Sequence, residues 1–560
     1  MPLLRALLIA VVAVLAGAGS AWARPNVVVV MTDDQTQESI KVMTKTRVGI
    51  GAPGTTFTNS VATFPLCCPS RATYMSGQYA HNHGVVNNVP PFGGYTRFNF
   101  ANSLPVWLQQ AGYRTMHVGR TLNGYGVDNP SVTDVPPGWN DWISTLDPTT
   151  YDYTRWQTNE NGQVLQLPAL DRPFEHQTDY LGRRATELVE RAAPSPQPFF
   201  LSLTFPAPHS GRPIDPDDPP GFATPSPSPR HRDAFAATPL PRPPSFDERD
   251  VSDKPRVVRR RSRLNFAEVG AVQESYRQEL ESLLDVDDAV GQLLGTLQRT
   301  GELANTVVIF TSDNGFTHGE QRIRAAKVFP YEPSIRVPLI MRGPGVPAGL
   351  RSGQQAGNID LAPTILDAAD ALPGRLQDGV SLFGQTADPA RRDGRELVLE
   401  NGRGLRTLSR YRGLRNDRYV YIRHERTGER ELYDLRRDRN QLNNLAKVER
   451  FRRIRILMDR RLRKLSSCRG RVACGASRPV VRVKSRCAGG AARFGVSGRE
   501  ALRVAQVAYL VDGVPVGSSR KRPFRVSAPP SPGTVGLRAR VTTVDGRVAT
   551  YDRRVQGCGG

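Results

Sequence analysis

Val27-Val28-Val29-Val30-Met31 runs, without a polar interruption, into Thr32-Asp33-Asp34. A mostly β-branched run of this kind suits a central strand buried on both faces, with carboxylates at its carboxyl end. Thr306-Val307-Val308-Ile309-Phe310 leads in the same way to Ser312-Asp313-Asn314-Gly315, and Phe199-Phe200-Leu201-Ser202-Leu203 leads to Pro208-His209. Helical patterns lie between them, from His176 to Ala192 and from Val272 to Thr300. Buried strands alternating with helices predict an α/β sandwich whose ligands sit at the carboxyl ends of the strands.

The chain has 560 residues, enough for one large domain and a smaller one. Its start, with Arg5, an apolar run to about Ala16 and then Ala21-Trp22-Ala23, reads as a secretory signal peptide over 1–23. The apolar run falls short of the ~20 residues that span a bilayer, and no later stretch is apolar enough to do so. Secretion is therefore expected. Four of the six cysteines (Cys468, Cys474, Cys487, Cys558) fall near the carboxyl end, an even number suited to an oxidising compartment. Sequence does not fix their connectivity; the pairing expected is 468–474 and 487–558.

The net charge of +23 is unevenly spread. Residues 466–560 hold eighteen Lys and Arg against Glu500, Asp512, Asp545 and Asp552. Such a tail fits contact with a polyanion or a cell envelope, and equally a soluble surface in an arginine-rich chain. A nucleic-acid partner is not expected. Arginine is the default cation, since lysine occurs at only eight positions.

Residues 210–265, rich in Pro, Ser, Asp and Arg, read as an irregular excursion, either a lid or a mobile spacer. Tyr419–Ile422 and Glu431–Leu435 predict a small antiparallel layer, and 447–465 a basic amphipathic helix closing the domain. Beyond Cys468, hairpins turned at Asp512-Gly513 and Asp545-Gly546 predict an immunoglobulin-like all-β domain over 466–560.

The chemistry concentrates in Cys67-Cys68-Pro69-Ser70-Arg71, continued by Met75-Ser76-Gly77. Pro69 suits a first helical turn and Gly77 a helix end. Residue 67 then sits at the positive end of a helix, where backbone N–H groups favour an anion, with Arg71 one turn in. Asp33-Asp34 and Asp313-Asn314 offer hard oxygen ligands from two strand ends. That set suits Ca²⁺ better than zinc.

With these residues in place, the chain resembles the sulfatase family. The Cys-x-Pro-Ser-Arg pattern is similar to the family's modification signature. Arg24-Pro25-Asn26 to Gln35, Thr56-Phe57-Thr58-Asn59, Tyr79-Ala80-His81-Asn82-His83, Pro136-Pro137-Gly138-Trp139, Pro206-Ala207-Pro208-His209 and Thr311–Gly315 look like the N-acetylglucosamine-6-sulfatase and glycosaminoglycan sulfatase branch. The resemblance covers about 24–465. It implies the alkaline-phosphatase-like sandwich, with a large mixed central sheet and a small antiparallel carboxyl-terminal layer. It also implies conversion of Cys67 to formylglycine by a formylglycine-generating enzyme, and one Ca²⁺ held by Asp33, Asp34, Asp313, Asn314 and residue 67.

Arg71, Arg120, Asn123, His209 and Lys327 are the further site residues implied. Arg120 stands where the family has a sulfate-contacting lysine, exchanging a point charge for a planar fork. Asn123 matches the glucosamine-sulfatase branch, and His318 lies one position out of step with the branch's usual His. The implied activity is hydrolysis of an aryl or glycan 6-O-sulfate, with Asp313 helping to activate the nucleophile and His209 or Lys327 protonating the leaving oxygen. Two other readings remain open: a phosphomonoester, phosphodiester or phosphonate hydrolase of the same superfamily, and a non-catalytic binder of sulfated glycans.

Overall fold

The computed structural model describes residues 24–129, 131–390, 394–402, 410–475, 479, 481–488, 490–498, 500–544 and 547–558. The expected signal peptide and the Asp545-Gly546 turn lie outside the described residues. Seven elements position the centre: β1 (Asn26–Thr32), α1 (Cys67–Ser76), β2 (Arg114–Gly119), α2 (Gln177–Ala192), β3 (Phe199–Thr204), α3 (Phe266–Arg299) and β4 (Thr306–Ser312). β4, β1, β3 and β2 lie side by side and parallel in the middle of a ten-stranded sheet. Antiparallel strands at both flanks make that sheet mixed.

Every residue of β1, β3 and β4 is buried, which explains why they read as mostly apolar. Val27, Val29 and Met31 face one layer, with α1 and Trp107; Val28 and Val30 face the other, with α2 and α3. Burying both faces takes helices on both sides. α3 is 34 residues long and opens on a capping box between Asn265 and Glu268, which satisfies two otherwise orphaned N–H groups.

The 210–265 excursion has little regular structure, yet it is pinned down. Ser228 N–H donates to Asp285 Oδ2 at 2.8 Å, Leu240 packs with Val272, Tyr276 and Leu280 of α3, and the Lys254 ammonium is buried against Glu248 at 2.9 Å. It is packed against the domain through these contacts.

Leu397–Glu400, Tyr411–Arg415, Tyr419–His424 and Arg430–Asp434 form the small antiparallel layer. The amphipathic helix Arg452–Leu465 closes it with Met458, Leu462 and Leu465. The Cys468–Cys474 disulfide packs into this same core.

The tail is a sandwich of a three-stranded and a four-stranded antiparallel sheet around Phe494, Val507, Tyr509, Ala539 and Val541. Asp512 and Gly513 turn one hairpin with φ of 46° and 83°, the conformation an Asp-Gly pair favours. The fourth strand, Val514–Ser519, pairs with the third; in the constant-type immunoglobulin arrangement it joins the other sheet. Cys487–Cys558 ties the first strand to the chain beyond the last.

Candidate active site

β1 and β4 run in register, with Thr32 beside Ser312. Asp33, Asp34, Asp313 and Asn314 therefore leave the sheet together at its carboxyl edge. Asp313 N–H donates to Thr32 O at 3.1 Å, and Asp34 N–H to Asp313 Oδ1 at 3.3 Å. Carboxylate oxygens of Asp33, Asp34 and Asp313 all lie within 4.8 Å of one another.

β2 delivers Arg120 through Gly119, whose φ is 111° and whose missing Cβ would fall 1.9 Å from Thr204 O. Only glycine fits there. A Thr317–Ala326 bridge, closed by Thr317 N–H to Ala326 O at 2.9 Å, carries Lys327 back toward the sheet.

α1 runs from Cys67 to Ser76 and is capped by Gly77, with all ten of its residues buried. Cys67 Sγ donates to Asp33 Oδ1 at 3.4 Å and accepts from Lys327 Nζ at 2.9 Å. Burial, opposed by Lys327 and aided by Asp313 and Asp34, pushes the Cys67 thiol up to about 12. An unmodified Cys67 is thus a protonated, poor nucleophile at neutral pH.

Three cations answer the three carboxylates. Arg71 Nε donates to Asp313 Oδ2 at 2.8 Å and its Nη2 to Asp33 Oδ2 at 3.3 Å. Lys327 Nζ lies 2.7 Å from both Asp34 oxygens. Burial alone would lower the Lys327 ammonium, but Asp34, Cys67 and Asp313 outweigh it and hold it raised. Arg120 Nη1 is in ion-pair contact with Asp33 Oδ2, although neither Arg120 terminal nitrogen makes a directed hydrogen bond.

His209 Nε2 is 3.6 Å from Asp34 Oδ2. Its Nδ1 lies 2.8 Å from Ser210 O, a bond that places the proton on Nδ1. Burial, with Lys327 and Arg120, drives His209 well below the ordinary imidazole range, so it is neutral with a bare Nε2.

The fold thus gathers Asp33, Asp34, Cys67, Arg71, Arg120, His209, Asp313, Asn314 and Lys327. Asn123 instead turns to Cys68: its N–H donates to Cys68 Sγ at 3.0 Å, and the Cys68 thiol donates to Asn123 Oδ1 at 3.2 Å. His318 is buried elsewhere, with Nε2 3.3 Å from Glu279 Oε2. Tyr151 was not foreseen. Its ring stacks on His209 at 4.0 Å between centroids, the Arg120 guanidinium lies 4.9 Å from that ring, and its hydroxyl is buried without a partner. No motif marks Thr149-Thr150-Tyr151 in the sequence.

The donor set fits a hard cation. Three carboxylates converge, and Asn314 Oδ1 beside them is a buried acceptor with no hydrogen-bond partner, as oxygen-liganded Ca²⁺ or Mg²⁺ requires.

An acidic strand-end cluster facing a helix-borne cysteine, on a large mixed sheet, is the architecture of the alkaline-phosphatase-like folds. A structure solved in complex with its substrate D-glucosamine-2-N,6-O-disulfate shares this fold, with a TM-score of 0.66 and 23% identity, covering 79% of this chain and 97% of that one. The sulfatase family model matches residues 25–371, and the chain belongs to that family. A second model, the N-sulphoglucosamine sulphohydrolase carboxyl-terminal region, matches 319–468. An arylsulfatase of Volvox carteri is 35% identical over 390 residues, covering 65% of this chain and 59% of that protein. The human N-acetylglucosamine-6-sulfatase is 33% identical over 378 residues, covering 66% of this chain and 65% of its own. The chain thus spans less than two thirds of the length of these relatives.

Proposed function

We propose that this protein is a secreted sulfatase that hydrolyses sulfate esters of a glycan, working from a formylglycine at residue 67 beside one Ca²⁺. The observation that carries the reading is Cys67 at the start of a buried helix, its sulfur 2.9 Å from Lys327 Nζ and 3.4 Å from Asp33 Oδ1. The substrate class follows from the glucosamine disulfate and the N-acetylglucosamine-6-sulfatase named among its relatives. We place the division between the catalytic part and the tail after the Cys468–Cys474 disulfide, because that bridge packs with the four-stranded layer.

Asp33, Asp34, Asp313 and Asn314 would hold the metal, which supplies Lewis-acid stabilisation of developing negative charge. The modified residue supplies a hydrated aldehyde with two hydroxyls, one to accept the sulfuryl group and one to release it. The chain's own residues do the rest. Asp33 Oδ1, the oxygen that Arg71 and Arg120 leave to residue 67, is placed to take its proton; both oxygens of Asp313, which the sequence put forward for that role, are engaged, Oδ2 by Arg71 and Oδ1 by the Asp34 N–H. Arg71, Arg120 and Lys327 form a preorganised positive wall for the sulfate oxygens. Neutral His209, with its proton on Nδ1, has none to give at Nε2, so Lys327 is the proton donor to the leaving oxygen and His209 an acceptor for a sugar hydroxyl beside the ester.

Two measurements test this. Mass spectrometry of the secreted chain should find the sulfur of residue 67 replaced by oxygen with loss of two hydrogens; active enzyme carrying a plain thiol there would sink the reading. Turnover of nitrophenyl sulfate should exceed that of nitrophenyl phosphate, and the reverse order would favour the phosphoester reading. In Cys67→Ser the single hydroxyl cannot release the sulfuryl group, so a sulfated protein accumulates in place of turnover.

A further inference from the structure

Part of the tail's positive charge is gathered along one edge of its sandwich. The edge strands of the two sheets, Arg482–Ala488 and Val548–Gln556, meet at an open seam bridged by Arg553 Nη1, which donates to Val483 O at 2.6 Å. A groove of about 540 Å³ runs along this seam, lined by Arg482, Lys484, Tyr551 and Arg553, and its volume falls within the ~300–1,000 Å³ of small-ligand sites. Its single acid, Asp552, is taken by Arg538 at 2.7 Å.

From the groove the cations continue onto the outer face of the three-stranded sheet. Arg482, Lys484 and Arg486 alternate along the edge strand and are exposed. Arg486 stands directly opposite exposed Arg493, and Arg525 lies against the open position of Gly495, opposite Lys484. Among the described residues no carboxylate forms an ion pair with any of these five. Charge on an edge strand alone would serve to block sheet-to-sheet aggregation. That does not account for Arg493 on the middle strand, where a like-charged cross-strand pair costs stability. An anion laid across the strands would relieve it.

We propose that this seam and face bind a sulfated glycan chain, its sulfates on the cations and one sugar ring on Tyr551. Planar guanidinium groups suit bidentate contact with sulfate oxygens, and an aromatic face beside them suits a pyranose. The surface would hold the polymer while the centre cleaves it. The assignment rests on the proposed activity only for the choice of sulfate as the anion.

The test uses the full secreted chain on immobilised heparin, with hyaluronan, which has carboxylates but no sulfates, as the comparison. Arg482→Gln/Lys484→Gln/Arg486→Gln should lose heparin affinity by about tenfold or more at physiological salt. Arg426→Gln/Arg436→Gln/Arg437→Gln, which removes equal charge elsewhere, should stay within about twofold. Nitrophenyl sulfate turnover should be the same in both. The proposal falls if the two triple variants bind alike, or if hyaluronan, lipoteichoic acid or phosphatidylglycerol vesicles bind as well as heparin. If no sulfate ester is cleaved yet the first triple variant still loses heparin, the activity falls and the surface stands.

Discussion

The catalytic centre and the tail are both dense in charge and solve opposite problems. At the centre Asp33, Asp34, Asp313, Arg71, Arg120 and Lys327 are almost sealed from water, with no side chain among them above 13% exposed, and each faces a counter-ion. In the tail eighteen cations meet four acids, and the cations of the groove face stay in water. Burial makes pairing compulsory, because an unpaired ion in the interior costs several kcal/mol. Exposure leaves charge free to wait for a partner. The same residue type is therefore machinery in one region and surface in the other.

Removing one acid from each region breaks the comparison most directly. Asp33→Asn strips a counter-charge from both Arg71 and Arg120 and should lower unfolding stability by ~3–5 kcal/mol, with sulfatase turnover abolished. Asp552→Asn leaves Arg538 in water, still held by Asp388 at 2.7 Å, and should cost ~0–1 kcal/mol. Urea unfolding of the two variants reads both. Equal losses would mean that pairing at the centre does not depend on burial.

The same contrast decides what was legible in the sequence. β1 and β4 are buried on both faces, so their apolar runs had no polar interruption and their strand-end acids stood out. Asp512-Gly513 was legible because its turn demands positive φ. The packing of 210–265 was not: a Pro- and Ser-rich stretch has no period to read, and contacts such as Ser228 with Asp285 arise only when α3 lies beneath it. Asn123 came from the resemblance to the glucosamine-sulfatase branch; its contact with Cys68 is a matter of the fold. Tyr151 was missed because its partners His209 and Arg120 come from two other strands.

Glu279 is one exception, and it sharpens the rule. It is a buried carboxylate with no cation, accepting from Thr36 N–H at 3.1 Å and Thr36 Oγ1 at 3.0 Å, while its Oε2 faces His318, which burial lowers to about 3 and keeps neutral. Burial pushes Glu279 up to about 7. A carboxyl raised in the folded state favours folding below its unfolded value, and that advantage is lost as pH climbs through the folded one. Glu279→Gln should therefore match the parent near pH 4 and exceed it by on the order of 2 kcal/mol at pH 8. Stability curves that run parallel from pH 4 to 8 would show that Glu279 keeps its charge at no cost.

Tyr151 is the smallest test and the most specific. Its hydroxyl is a buried polar group the centre leaves unpaired, and a donor in that condition costs roughly 1–3 kcal/mol. Its ring is already committed to His209 and Arg120, so Tyr151→Phe removes the hydroxyl and keeps the stack. Were the hydroxyl only a packing fault, the variant would be at least as stable and turn over normally. If it is held for the bound ester, kcat/KM for a sulfated sugar should fall by about tenfold with unfolding stability unchanged or raised. His209→Ala should instead disturb both, because it takes away the surface on which the ring rests.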